Sequence, residues 1–315
     1  MKIIYSEIHK KHNPPYEIYD GVKESYAEKP DRIEAIVKVL RKNGITKFYA
    51  PEEISLRTIY SIHQKEYVEF LRKRSQSLGK DQVLYPSYFI RDTYTPIVAG
   101  TYESAVSSVG VAITGAQHIL NENDVVYALC RPPGHHAEHK AMSGYCYFNN
   151  AAIAADCLSG HGKVAILDID SHHGNGTQDI FYERNDVLYV SIHADPREKF
   201  PYISGFSDES GKGKGVGFNK NYPLALGTTD KEYLRVLRKT LKDIEHFKPR
   251  YLIVSLGFDT YEKDPIGGFK LTKSFYQEIA KHIKSLGLPT LLIQEGGYNV
   301  EDLGELAYSF LQGME

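Results

Sequence analysis

The feature that most constrains this chain is a series of short, predominantly apolar runs at residues 3–5, 125–129, 164–169, 187–192, 251–256 and 290–293. Each has the length of one strand and lacks the polar alternation of a strand with one wet face, so both faces must be covered. Between these runs the apolar residues change period. Ile33, Ile36, Val37 and Leu40 keep helical spacing, with Gly44 as a C-terminal stop. Leu234, Leu237, Leu241 and Ile244 repeat the pattern, as do Phe275, Ile279, Ile283 and Leu286. Strands alternating with helices predict an α/β fold, an open parallel sheet with helices on both faces. No internal repeat, low-complexity tract or Ser/Pro-rich linker divides the 315 residues, so 1–315 is expected to be a single domain.

In such a sheet, ligands bind beyond the carboxyl ends of the strands, and that is where the reactive residues fall. The run 164–169 leads into Asp168-Ile169-Asp170-Ser171-His172. Side chains alternate along a strand, so Asp168, Asp170 and His172 start on one side. The run 251–256 leads into Gly257-Phe258-Asp259, and 290–293 into Gln294-Glu295-Gly296-Gly297-Tyr298, where Gly-Gly permits a sharp turn that exposes Tyr298. Two carboxylates and one imidazole (Asp170, Asp259, His172) suit Zn²⁺ or another first-row divalent ion and leave a coordination position for water or substrate. Asp168 fits either a buried structural carboxylate or one that orients a histidine or shares a monovalent cation. A rigid Pro132-Pro133-Gly134 turn presents His135 and His136 side by side, an arrangement that serves poorly as core filler.

Other signals exclude more than they assign. The net charge of −2 gives no basic field for nucleic acid. Cys130, Cys146 and Cys157 are odd in number and lack C-x-x-C spacing, which argues against disulfides and thiolate zinc sites. The first residues turn polar too soon for a signal peptide, and no apolar run approaches the ~18 residues of a membrane span. The expectation is therefore a cytoplasmic protein with no membrane contact. Residues 211–217, Gly-Lys-Gly-Lys-Gly-Val-Gly, have the composition of a phosphate loop but neither a preceding strand nor a following helical pattern. His173 falls on the opposite strand face from His172 and is read as supporting structure. His193 follows the run 187–192 and is weighed as a rim residue against plain packing.

Together the segments PPGHHA (132–137), GYCYFNN (144–150), LDIDSHHGNGTQDIFY (167–182), VSIH (190–193), LGFDT (256–260) and EGGY (295–298) resemble the arginase/deacetylase superfamily, specifically its zinc-dependent histone-deacetylase-like amidohydrolases. Ser6-Glu7, Tyr16-Glu17, residues 180–184, Asp195-Pro196, Phe200-Pro201 and residues 270–272 are most similar to the acetylpolyamine amidohydrolase branch. The resemblance implies an eight-stranded parallel sheet and one Zn²⁺ (or Fe²⁺) on Asp170, His172 and Asp259. It makes His135 and His136 the acid/base pair, supported by Asp168 and Asn175 respectively, and Tyr298 the transition-state donor. Asn175 stands where many histone deacetylases carry Asp, so His136 should be held less strongly in its protonated form. Gly144, Tyr145, Phe200 and Ile266 would wall a narrow tunnel, and Glu17 would lie at its mouth. Asp168, Asp170, His172, Ser191 and Ile192 match a K⁺ site. The implied substrate is a small acetylated linear amine, an acetylpolyamine first and protein acetyl-lysine as the alternative. An arginase-like dimanganese centre is disfavoured, because His135 and His136 replace the extra ligands. Branch members with a dimer-built tunnel carry a long insertion that residues 80–100 are too short to hold, which leaves self-association open.

Overall fold

The computed structural model describes residues 1–122 and 124–315. In chain order it comprises β1 (Lys2–Ile4), β2 (Glu17–Tyr19), β3 (Val22–Glu24), α1 (Asp31–Lys42), α2 (Leu56–Tyr60), α3 (Lys65–Ser77), α4 (Thr101–Glu122), β4 (Val125–Ala128), α5 (Asn150–Ser159), β5 (Val164–Asp168), α6 (Asn175–Phe181), β6 (Val187–Ala194), β7 (Asn219–Leu224), α7 (Asp230–Phe247), β8 (Tyr251–Leu256), α8 (Phe275–Lys284), β9 (Thr290–Gln294) and α9 (Val300–Met314). Seven strands form one sheet in the order β1-β4-β9-β8-β5-β6-β7, every neighbouring pair parallel. The hairpin β2–β3 is a separate antiparallel pair.

The expected count of eight strands is corrected to seven. A further segment does reach the sheet edge beside β1, where Tyr49 bridges Ile4 in parallel and exchanges backbone hydrogen bonds with Ile3 and Tyr5. Pro51 follows two residues later and lacks the N–H to extend the ladder, so the contact ends as a one-residue bridge. At the other edge β7 is a strand that apolar periodicity misses. It reads Asn-Lys-Asn-Tyr-Pro-Leu, and its proline is tolerated because the strand has one neighbour only.

Strand periodicity sorts the apolar side chains into two cores. Ala165, Leu167, Val190, Leu252, Val254 and Leu292 face one side and pack with α1, α7, α8 and α9. Val164, Ile166, Tyr189, Ile253, Leu291 and Ile293 face the other and pack with α3, α4 and α5. Burying both faces leaves the strand ends as the place where polar groups can gather. Among the described residues no helix is long and apolar enough to cross a membrane.

Candidate active site

β5 and β8 are adjacent and in register, so their ends deliver Asp170 and Asp259 to neighbouring positions; Asp168 pairs with Ser255. Asp170, His172 and Asp259 offer ligand atoms that all lie within 4.8 Å of one another, with Asp170 1 % and Asp259 0 % exposed. His172 Nδ1 is 2.9 Å from Asp259 Oδ2 and 3.2 Å from Asp170 Oδ1. The second oxygens are held by backbone: Ser171 N donates to Asp259 Oδ1 at 2.8 Å and Gly296 N to Asp170 Oδ2 at 2.8 Å. Burial opposes charge on His172, yet hydrogen bonds and charge from Asp170 and Asp259 carry its pKa up to about 9. A proton thus occupies ground that a cation is built to hold, and the donor set suits a divalent ion. Glycine makes the room. A Cβ on Gly257 would lie 2.2 Å from Asp170 Oδ2, and one on Gly296 would lie 2.5 Å from the same oxygen and 2.7 Å from Asp259 Oδ2.

The Pro132-Pro133-Gly134 turn sets the rings of His135 and His136 4.0 Å apart. His135 Nδ1 pairs with Asp168 Oδ2 at 3.0 Å, and Tyr189 donates to the same oxygen at 2.9 Å. His136 Nδ1 pairs with Asn175 Oδ1 at 2.8 Å. The two environments drive the imidazoles apart. Burial opposes charge on His135, but Asp168 and then Asp170 raise its pKa to about 10. Burial, reinforced by His135 and His172, holds His136 well below the usual histidine range. The direction for His136 is that expected of an amide, rather than a carboxylate, behind the ring. One ring is thus disposed to carry a positive charge and its neighbour to accept a proton.

A narrow pocket opens above this centre, lined by His136, His172, Gly144, Tyr145, Phe200, Ile266 and Tyr298. All four anticipated wall residues are present. Gly144, at φ +53°, leaves space that a Cβ would fill 2.2 Å from His136 Cδ2. The ring of Phe200 packs 4.9 Å from that of His136. Tyr298 N donates to Asp264 Oδ2 at 2.6 Å, and the Arg32 guanidinium lies 4.7 Å over the Tyr298 ring. Tyr19, at the end of β2, and Tyr94, Lys199 and Tyr202, from loops, complete the lining and were not anticipated, since none belongs to a motif.

One expected placement is corrected. Glu17 is not at the mouth: it is 5 % exposed, behind the wall, and accepts hydrogen bonds from Tyr145 Oη at 3.1 Å and Ala27 N at 3.4 Å. The hairpin β2–β3 turns it inward, and burial raises its pKa to about 7. Of the two readings weighed for His193, the structure shows packing: the ring is buried, bonded to Ser191 Oγ at 2.7 Å and Gly205 O at 2.8 Å. His173 packs beside it, as expected of supporting structure. Asp168, Asp170, His172, Ser191 and Ile192 are brought together by β5 and β6, Asp168 pairing in register with Ser191. Glu295 was not anticipated as a site residue: its buried carboxylate accepts from Gly134 N at 2.7 Å and His135 N at 3.2 Å, pinning the loop that carries the paired histidines.

Fold and site together define a hydrolase of the deacetylase type. The chain belongs to the family of the histone deacetylase domain, whose profile matches residues 26–314. It is 41 % identical to acetylpolyamine amidohydrolase 2 of Pseudomonas aeruginosa, covering 100 % of this chain and 99 % of that one. It is 39 % identical, over 100 % of this chain and 99 % of the other, to the acetylpolyamine amidohydrolase of Mycoplana ramosa. The crystal structure of an acetylpolyamine aminohydrolase from Burkholderia pseudomallei superposes with a TM-score of 0.94 at 34 % identity, covering 100 % of this chain and 98 % of that one.

Proposed function

We propose that this protein is a single-domain, zinc-dependent amidohydrolase that removes the acetyl group from small linear amines, acetylpolyamines first among them. The observation that carries the reading is the three-residue acidic–imidazole cluster at the base of a narrow aromatic pocket, with a neutral histidine and a tyrosine on its walls. Full-length similarity to acetylpolyamine amidohydrolases supports the choice of amine.

Asp170, His172 and Asp259 would hold one Zn²⁺ (Fe²⁺ fits the same donors), and Asp168, Asp170, His172, Ser191 and Ile192 a K⁺. When bound, the divalent ion supplies Lewis-acid polarisation of the acetyl carbonyl. The residues of the chain do the rest. His136 lines the pocket and is neutral, so it takes the proton of the attacking water and returns it to the departing amine nitrogen. His135, charged and paired with Asp168, offsets the negative charge beneath the reacting group. Tyr298 donates a hydrogen bond to the developing oxyanion. Gly144, Tyr145, Phe200 and Ile266 accept a methylene chain and reject a branched one. A cytoplasmic setting fits polyamine chemistry, with neither nucleic acid nor membrane needed as a partner.

One observation favours a second reading, protein acetyl-lysine deacetylation. The rim carries Lys199 while Glu17 lies behind the wall, so among the described lining residues no carboxylate meets a distal ammonium. The test of hydrolysis itself is acetate release from acetylputrescine by zinc-reconstituted protein. It should stop on chelation, return with about one equivalent of metal, and be absent in Asp170→Ala. A second stoichiometric transition metal would contradict the mononuclear assignment.

A further inference from the structure

The hydrogen bond between His136 and Asn175 contains an ambiguity that a carboxylate would not. An amide has two unlike ends. With Oδ1 toward the ring, the imidazole carries its proton on Nδ1 and leaves Nε2 free to act as a base. With Nδ2 toward the ring, the imidazole must accept at Nδ1, and Nε2 is blocked by its own proton. Within the pair, only a long contact from Asn175 Nδ2 to His136 O, at 3.4 Å, favours one of them.

Glu138 selects between them. Asn175 Nδ2 donates to Glu138 Oε1 at 3.2 Å, while Asn175 Oδ1 stands 2.8 Å from His136 Nδ1. Reversing the amide would press its oxygen against the Glu138 carboxylate, the charged and nearer of the two acceptors of Nδ2, and lose all three bonds. Glu138 is itself fixed: it is 8 % exposed, its Oε2 accepts from Arg91 Nε at 3.0 Å and Nη2 at 2.7 Å, and its carbonyl accepts from His63 Nδ1 at 2.9 Å. Asn175 is 5 % exposed, so bulk water does not solvate the amide freely. Two other acids border the same recess, but Asp179 accepts from His139 N and Glu209 from Gly205 N, Phe206 N and Gln178 Nε2. Among the described residues, Glu138 alone of these acids reaches Asn175.

We propose that Glu138 is a positioning residue for hydrolysis: by fixing the orientation of the Asn175 amide it selects the His136 tautomer whose Nε2 faces the pocket unprotonated. The negative charge missing directly behind His136 is thereby supplied one residue further out, where it orients the base without pairing with it. The consequence for turnover rests on the deacetylase reading above; the tautomer does not.

The experiment uses full-length, zinc-reconstituted enzyme labelled with ¹⁵N-histidine, His136 being assigned by its loss in His136→Ala. Above pH 8 the wild type should show the Nδ1–H tautomer at His136, and Glu138→Gln, nearly isosteric, should show a mixture or the Nε2–H form. In the same variant kcat for acetylputrescine should fall about tenfold or more, with KM within about twofold. Arg91→Ala, which leaves the carboxylate in place, should cost less than about threefold. Asn175→Asp supplies a group with two accepting ends, so it should restore turnover in the Glu138→Gln background and lower it beside the wild-type Glu138. Unchanged His136 tautomer and kcat in Glu138→Gln would overturn the proposal, as would an Asn175→Asp effect independent of residue 138. Absence of acetate release by the wild type, with the tautomer shift still present, would refute the deacetylase reading and leave the positioning role standing.

Discussion

Gly296→Ala is the most economical perturbation of the metal centre, because it adds one methyl group and changes no ligand. Gly296 has no left-handed backbone to strain, in contrast to Gly297 at φ +118°, so the effect is steric alone. The new Cβ would stand 2.5 Å from Asp170 Oδ2 and 2.7 Å from Asp259 Oδ2, where ordinary contact begins near 3.4 Å. Both carboxylates must retreat by roughly 0.7–0.9 Å, several times the ~0.2 Å tolerance of a ligand bond. The Gly296 N–H that holds Asp170 Oδ2 at 2.8 Å is displaced with them. Losing a supporting contact of this kind costs ~10–100-fold in metal affinity, and moving two ligands together should reach the upper end of that range. The assay is metal content after dialysis against a graded chelator, with circular dichroism to confirm folding. A Gly296→Ala protein that keeps its metal at wild-type chelator concentrations would refute the assignment of Asp170 and Asp259 as partners in one site.

Other outcomes rest on the same geometry. Tyr298→Phe should retain metal and lower kcat by ~10²–10³ with little change in KM; a rise in KM alone would make Tyr298 a binding residue. Glu17 has a folded pKa raised to about 7 from 4.5, so the stability it contributes is complete below about pH 4.5 and is lost as pH rises through 7. Glu17→Gln should therefore leave Tm unchanged at pH 4 and raise it at pH 8, by about 1 kcal/mol of stability after allowing for partial solvation. Its loss of activity should be equal on charged and neutral acetylated amines, since the carboxylate touches Tyr145 and not the pocket; a loss confined to cationic substrates would return Glu17 to the mouth. Lys199→Ala should raise kcat/KM for acetylspermidine about two- to fivefold over a neutral acetylalkylamine at low ionic strength, the gap closing in salt. No salt dependence would mean that the Lys199 ammonium points away from bound substrate.

How much of this was legible beforehand depends on what each residue does. Buried parallel strands announce themselves because both faces must be apolar, and β5, β8 and β9 appear within a residue or two of their expected bounds. Their ends gave the cluster at Asp170, His172 and Asp259, since a strand delivers the residues beyond its last position to a known edge of the sheet. α4 escaped notice because the helix is wedged between layers and rich in Ala, Gly, Ser and Val, with no polar face to set the period. β7 escaped because an edge strand tolerates polar residues and proline. The hardest features to foresee were contacts between distant segments with no motif to link them. Glu17 is turned inward by a hairpin of six paired residues, and Glu138 meets Asn175 only after folding. Lys199 reaches the pocket from a loop whose path depends on everything around it.

The central claim is that this site hydrolyses a small acetylated linear amine. The most direct test is a side-by-side measurement of kcat/KM on zinc-reconstituted enzyme for acetylputrescine, acetylcadaverine, acetylspermidine and an acetyl-lysine peptide, with acetate as the quantified product. At least one acetylated polyamine or diamine should exceed the peptide by about tenfold, a difference of ~1.4 kcal/mol in transition-state stabilisation. A peptide turned over faster than every small amine would contradict the account and make this chain a protein deacetylase.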